Sequence, residues 1–244
     1  MWGVNFVFVF LALLAEILGT IGGFGSSVFF VPLGNFYFDF QSVLGIAAIF
    51  HLSSNLSKML LFKQGLNWRL IWLMGIPSVV FVVLGGYLSS WVNGDYLEGV
   101  LAVFLLVFSV FFLLKKRFAI QALPKNALMG GALSGFSAGL LGTGGAIRGL
   151  TMAAFNLEKS AFIATSAVID LMIDFSRTLV YYRNGFIHAH DLKYIPFLLL
   201  VGFIGSYLGK RMLVYIPQSK FRSISLLLIL AIGIITGMKL LLGA

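Results

Sequence analysis

The sequence predicts an all-α, polytopic membrane protein of about eight transmembrane helices in two repeated halves, on three observations. The 244 residues are 60% hydrophobic and only 10% charged, with a mean hydropathy of +1.02; a soluble domain carries about 25% charged residues. The apolar residues fall into runs close to the roughly 20 residues that a bilayer span needs. Two of those runs are broken by clustered glycines, one near the start of each half.

The first run extends over Phe6–Ile21 and continues past "GTIGGFGSS" to Phe38. The opening "MWGVNFVFVFLALLAEILG" lacks a basic n-region and a small-residue cleavage site, so it reads as a retained span rather than a signal peptide. Ser42–Phe62, Leu70–Val92 and Tyr96–Leu114 follow. After the basic linker "KKRFAIQALPK" come Ala127–Phe155, glycine-broken like the first, and then Ala161–Tyr182, Leu192–Leu213 and Phe221–Leu242. The units are a first four-helix repeat over 1–114, a basic linker over 115–126 and a second repeat over 127–244.

An offset of 120 residues carries the duplication. It places Gly19, Gly22 and Gly25 on Gly139, Gly142 and Gly145, "KQG" (Lys63–Gly65) on "RNG" (Arg183–Gly185), and "GGYL" (Gly85–Leu88) on "GSYL" (Gly205–Leu208). Duplicated halves are a common plan for secondary transporters, with the site at the repeat interface. An even number of crossings per half makes the halves parallel; a chain that turns back at each glycine break makes them inverted. The sequence leaves that parity open.

The formal charge is +9. Most basic residues lie in short connections, which points to membrane sidedness rather than to nucleic acid. If all eight segments cross once, Lys63, Arg69, Lys115, Lys116, Arg117, Lys125, Arg183, Lys193 and Lys239 share one side. Lys159, Lys210, Arg211, Lys220 and Arg222 share the other, and nine against five places both termini in the cytoplasm. Zero cysteines exclude disulfides, thiolate metal sites and a cysteine nucleophile.

The glycine breaks carry the chemistry. A helix restarting after a break presents unpaired N–H groups, and its dipole adds roughly half a positive charge. Gly23, Gly25, Ser26 and Ser27 mark the first restart, with either serine available as a cap. Thr143, Gly144 and Gly145 mark the second, and Arg148 falls in its first turn. Amides, dipole and guanidinium all favour a small oxyanion. The plainer alternatives are close helix packing for the glycines and an Arg148 that snorkels to a headgroup.

Asp170, Asp174 and Arg177 lie at i, i+4 and i+7 of the sixth segment, within about 60° on one helix face. Intramembrane charges face partners or a wet cavity. Asp174 and Arg177 can form a structural pair; Asp170 is then free to pair with Arg148 or to exchange protons. His51, Asn55 and Lys58 repeat the spacing in the second segment, where His51 reads as a buried histidine. Lys58 is divided between the site and snorkelling, and Glu16 between the cavity and the membrane edge. No P-loop, nucleophile elbow or metal cluster is recognised, and His188 and His190 of "IHAHD" read as a surface loop. Neither cofactor, metal nor enzymatic activity is expected.

The glycine break "GTIGGFGSSVFFVPL", the following segment ending in basic-x-Gly, and the second-half run "ATSAVIDLMIDFSRTLVYYRNG" together resemble the TauE/SafE sulfite exporter family, also called the 4-toluene sulfonate uptake permease family. The resemblance covers about Leu11–Leu213. It implies a polytopic carrier of the bacterial inner membrane for sulfur-containing oxyanions or organic sulfonates, driven by an ion gradient. An anion-selective channel and a non-transporting scaffold or accessory subunit are the competing readings. The partners expected are a small anion and the lipid bilayer, with no nucleic acid; a homo-oligomer is left open.

Overall fold

The computed structural model describes residues 3–62, 65–115, 120–215 and 218–242, the last stretch by its backbone alone at 218–225 and 241–242. Ten α-helices and no strand form among the described residues. They are α1 (Phe6–Gly22), α2 (Ser27–Gly34), α3 (Phe40–Leu61), α4 (Trp68–Leu88) and α5 (Gly94–Leu114), then α6 (Pro124–Leu141), α7 (Gly145–Ala153), α8 (Lys159–Arg183), α9 (Ile195–Leu213) and α10 (Gln218–Leu242). Polar caps set several starts. Asn5 accepts from the amides of Val7 and Phe8, Asp39 from Ser42, Asn67 from Leu70 and Asn93 from Asp95. Each cap satisfies an amide that has no carbonyl one turn back. Pro124 opens α6, where no N–H is needed.

The chain doubles back at both glycine breaks. A continuous helix would hold Phe8 and Phe30 about 33 Å apart; their rings are 5.6 Å apart, and Phe8 also meets Tyr37 and Phe38. In the second half, Thr151 of α7 lies against Gly130 of α6, and Ser134 donates to the carbonyl of Gly144. Thus α1–α2 and α6–α7 are two helical hairpins.

The hairpins open at opposite ends of the bundle. The amide of Asn5 donates to Tyr194 Oη, which puts the start of α1 beside the start of α9. The end of α8 is there too, and Asn184 donates to the carbonyl of Gly86 near the end of α4. By contrast α6 runs parallel to α4: Gly131, Gly135 and Gly139 lie on the carbonyls of Met74, Ser78 and Val82. It therefore starts where α4 starts, at the other end. A Cβ at any of these three glycines would overlap α4 backbone; small residues permit this approach, which supplies packing where lipid supplies no hydrophobic drive.

Helices α3 and α8 pack together at the centre, α4 against α6 and α8, α9 against α1 and α3, and α5 against α10. Gly65 and Gly185, 120 residues apart, both take left-handed φ values, 80° and 76°.

Four stretches among the described residues are long and apolar enough to cross a bilayer: Phe40–Leu61, Trp68–Leu88, Gly94–Leu114 and Leu192–Leu213. Phe6–Gly22 and Leu226–Leu240 are shorter apolar helices. Large apolar side chains such as Trp72, Ile76, Val103, Val107, Leu200 and Phe203 face outward. Exposed Trp68 and Tyr215 lie near one end and Trp91, Tyr96 and Tyr182 near the other, as aromatic side chains do at lipid headgroups. This is a multi-pass membrane protein.

Candidate functional site

The two hairpin tips meet inside the bundle. Gly23 and Gly142 end α1 and α6 in the left-handed region, at φ 67° and 74°, a conformation that glycine adopts without a Cβ penalty. Across the tips, Ser27 Oγ donates to Thr143 Oγ1 at 3.4 Å. Gly145 sits so close to the Phe24 carbonyl that a Cβ would overlap it, and a Cβ on Gly25 would lie 3.8 Å from Gly145 Cα. The N-termini of α2 and α7 therefore converge from opposite ends of the molecule. Each contributes roughly half a positive charge.

Arg148 stands at this junction, 1% exposed. Its Nε donates to Ser166 Oγ at 2.9 Å, and its Nη1 pairs with Asp170. Nη2 is buried without a hydrogen-bond partner among the described residues, and it faces Gly25 and Gly145. Arg148 does not snorkel.

Behind it, α8 and α3 form a second polar layer. Arg177 Nε lies 2.8 Å from Asp174 Oδ1, so the expected pair is present. Arg177 also donates through Nη1 to the Gly142 carbonyl, at the end of α6, and through Nη2 to His51 Nδ1 at 2.9 Å. Since arginine only donates, His51 accepts at Nδ1. Asn55 donates to Asp174 Oδ2 at 2.6 Å.

Glu16 organises the other tip. This fully buried carboxylate accepts from Thr20, Ser26, Ser54 and Ser206 and lies 2.8 Å from Lys58 Nζ. It ties α1 to the restart at Ser26 and to α3 and α9. An isolated buried carboxylate would cost many kcal/mol; this one is paired and saturated with donors.

The expected residues thus separate into three groups. Gly25, Ser27, Thr143, Gly144, Gly145 and Arg148 lie at the meeting tips. Gly23 spends its amide on the Gly19 carbonyl, and Ser26 gives its hydroxyl to Glu16 rather than capping α2. Asn55, Asp170, Asp174 and Arg177 surround the tips, and Lys58 is committed to Glu16 rather than to a headgroup. Glu16, left undecided by the sequence, and Ser54, Ser166 and Ser206 are the residues the sequence reading did not assign. Their signal was weak: hydroxyls are common in membrane helices, and apart from the Glu16–Thr20 bond their partners lie 10 to 190 positions away.

Charge decides what the site lacks. Lys58, Arg148 and Arg177 face Glu16, Asp170 and Asp174, so the side chains cancel. The C-termini of α1 and α6 lie beside the N-termini of α2 and α7, so the helix ends also largely cancel; what stays unmatched at the tips, among the described residues, is the Arg148 Nη2 donor. A groove of about 670 Å³ between α5, α6 and α7 offers nothing comparable, being walled by residues such as Phe104, Phe108, Met129 and Leu133.

A family model described as sulfite exporter TauE/SafE matches residues 8–236. The chain belongs to the TauE/SafE family. A comparison with curated proteins gave no match. The matched region takes in both hairpins and every charged residue of the centre, so the TauE/SafE assignment covers the whole candidate site. As a member of this sulfite exporter family, the protein is a transmembrane transport protein.

Proposed function

We propose that this chain is an ion-coupled secondary transporter for a small sulfur-containing oxyanion or organic sulfonate, held where the hairpin tips meet. The observation that carries the reading is Arg148 Nη2: a buried guanidinium nitrogen with no hydrogen-bond partner among the described residues, aimed at the junction of two helix N-termini. The amides and that nitrogen are the donors for the anion, as in other helix-terminus anion sites. Asp170 is the coupling group. Its side chain is the most open of the six central charges, at 17%, and it shares Arg148 with the anion. Asp174, Arg177 and Asn55 hold the frame.

The architecture we propose is two inverted halves, 1–114 and 127–244, joined by the basic linker 115–126. Six helices cross (α3, α4, α5, α8, α9 and α10), and the two broken segments enter and return on their own side. The matched left-handed Gly65 and Gly185 support the duplication. So does the pairing of Gly85 with the Phe136 carbonyl, reproduced 120 residues away by Gly205 on Glu16. Inverted repeats with broken helices at a central site are a recognised transporter plan.

This arrangement reverses the sidedness that eight simple crossings gave. The described ends of α3, α5, α7 and α9 lie at one end of the bundle, and the sequence around them, 61–69, 115–125, 154–159 and 210–222, carries two, four, one and four Lys or Arg. The other end takes only Arg183, Lys193 and Lys239. Eleven against three supports an inner-membrane protein with the linker in the cytoplasm and both termini outside.

Flux into proteoliposomes, measured for sulfite, sulfate, a sulfonate and a carboxylate with and without a pH gradient, tests the proposal. Saturable sulfite or sulfonate flux that a pH gradient drives uphill is the expected result. Ion-channel conductance, or no flux of any of the four anions, overturns it.

A further inference from the structure

The connection between α8 and α9 holds a cluster that the transport reading does not use. Asp191 is 2% exposed, and neither carboxylate oxygen has a hydrogen-bond partner among the described residues. Two imidazoles flank it. His190 Nε2 lies 3.1 Å from Asp191 Oδ1, and His188 Nδ1 lies 3.5 Å from Oδ2. The rings of His188 and His190 stack at 5.3 Å, and the three ligand atoms all fall within 4.8 Å of one another.

We propose that His188, His190 and Asp191 form a binding site for a divalent transition-metal ion of the zinc class, on the face of the protein that carries the chain termini. Two imidazole nitrogens and one carboxylate oxygen are a donor set that suits Zn²⁺, Co²⁺ or Ni²⁺ rather than Mg²⁺ or Ca²⁺. At ligand distances of about 2.1 Å, atoms on a tetrahedral ion are about 3.4 Å apart. Each imidazole stands near that spacing from one oxygen of Asp191, His190 from Oδ1 and His188 from Oδ2, so small turns of the side chains bring the three donors onto one ion. The side chains of His188 and His190 are 40% and 55% exposed. The fourth position is open to water.

The surroundings supply the proton balance. Ser42 gives its hydroxyl proton to Asp39 Oδ2 at 2.6 Å, so its oxygen accepts from His188 Nδ1 at 2.8 Å. Without metal, His188 therefore carries its proton on Nδ1. Coordination through Nδ1 needs the other tautomer, so the proton moves to Nε2 by exchange with water, the imidazole stays neutral, and His188 detaches from α3. The sequence hides the site because "IHAHD" places all its donors in a short exposed loop; what sets it apart is the burial of Asp191.

The test uses the purified full chain in detergent, carrying no polyhistidine tag. Co²⁺ is titrated and followed by its visible absorption, and Zn²⁺ is titrated by calorimetry. One ion per chain is expected, with Co²⁺ bands of four-coordinate intensity that Zn²⁺ erases. His190→Gln is expected to weaken binding about tenfold or more, and His188→Gln/His190→Gln to abolish it. Both side chains are exposed, so these variants keep the fold, which circular dichroism verifies. Absence of saturable binding up to 100-fold excess metal, or equal affinity in the double variant, overturns the proposal.

Discussion

Ser27 Oγ lies 3.4 Å from Thr143 Oγ1, joining residues 116 positions apart at the tips of two hairpins that enter from opposite ends of the molecule. The contact places both helix restarts at one spot. It is the reason a single Arg148 can serve the two of them.

Gly145 tests the convergence sterically. Its Cα hydrogens face the Phe24 carbonyl at a distance that leaves no room for a Cβ. Gly145→Val is expected to push the tips apart and reduce flux to background, while the chain still inserts and purifies as wild type. Normal flux in this variant would show that the tips do not form the site.

Asp170 and Asp174 lie one turn apart and are expected to fail differently. Asp170→Asn should eliminate accumulation driven by a pH gradient and preserve exchange of labelled anion across the membrane. Asp174→Asn leaves Arg177 without its carboxylate. Breaking a buried pair costs about 3–5 kcal/mol, so this variant should show lower yield and a lower melting temperature in detergent. Uphill accumulation by Asp170→Asn under a proton gradient alone would remove Asp170 from the coupling role.

Glu16 and Lys58 make a third case. Lys58→Met strands a buried carboxylate among four hydroxyls, whereas Lys58→Met/Glu16→Gln removes both charges and keeps hydrogen bonds available. The single variant is expected to melt lower than the double. Equal melting of the two would show that Glu16 needs no counter-charge.

Sidedness is open to direct labelling because the chain contains no cysteine. Trp91 and Tyr215 are exposed at opposite ends of the bundle, at 84% and 85%. In intact cells an impermeant maleimide is expected to label Trp91→Cys. Tyr215→Cys should react only after permeabilisation. The opposite pattern would place the termini in the cytoplasm and defeat the charge count.

The helices were legible in the sequence because the bilayer demands long apolar runs, and the glycine breaks were legible because clustered glycine has few other uses there. The Asp174–Arg177 pair was legible too, since its partners are one turn apart on one helix. What the sequence could not show was direction. Gly22–Gly25 marks a break equally well whether the chain goes on or returns; the contact of Phe8 with Phe30 decides it. The count of basic residues per side then changed, because each return shifts every later connection to the other side. Glu16 was ambiguous for the same reason. Thr20 lies one turn on in the same helix, but the other donors to Glu16 come from α3, α9 and the restart of α2, and no spacing within one segment announces those.

Arg148 carries the anion reading, and equilibrium binding of sulfite measures its contribution. Because Arg148→Gln alone would strand Asp170, the decisive comparison is wild type against Arg148→Gln/Asp170→Asn, which removes both charges of the pair. A charge-assisted hydrogen bond is worth roughly 1.5–3 kcal/mol, so the double variant should bind sulfite about tenfold or more weakly by calorimetry, with melting close to wild type. Unchanged sulfite affinity in a folded double variant would mean that the anion is held elsewhere.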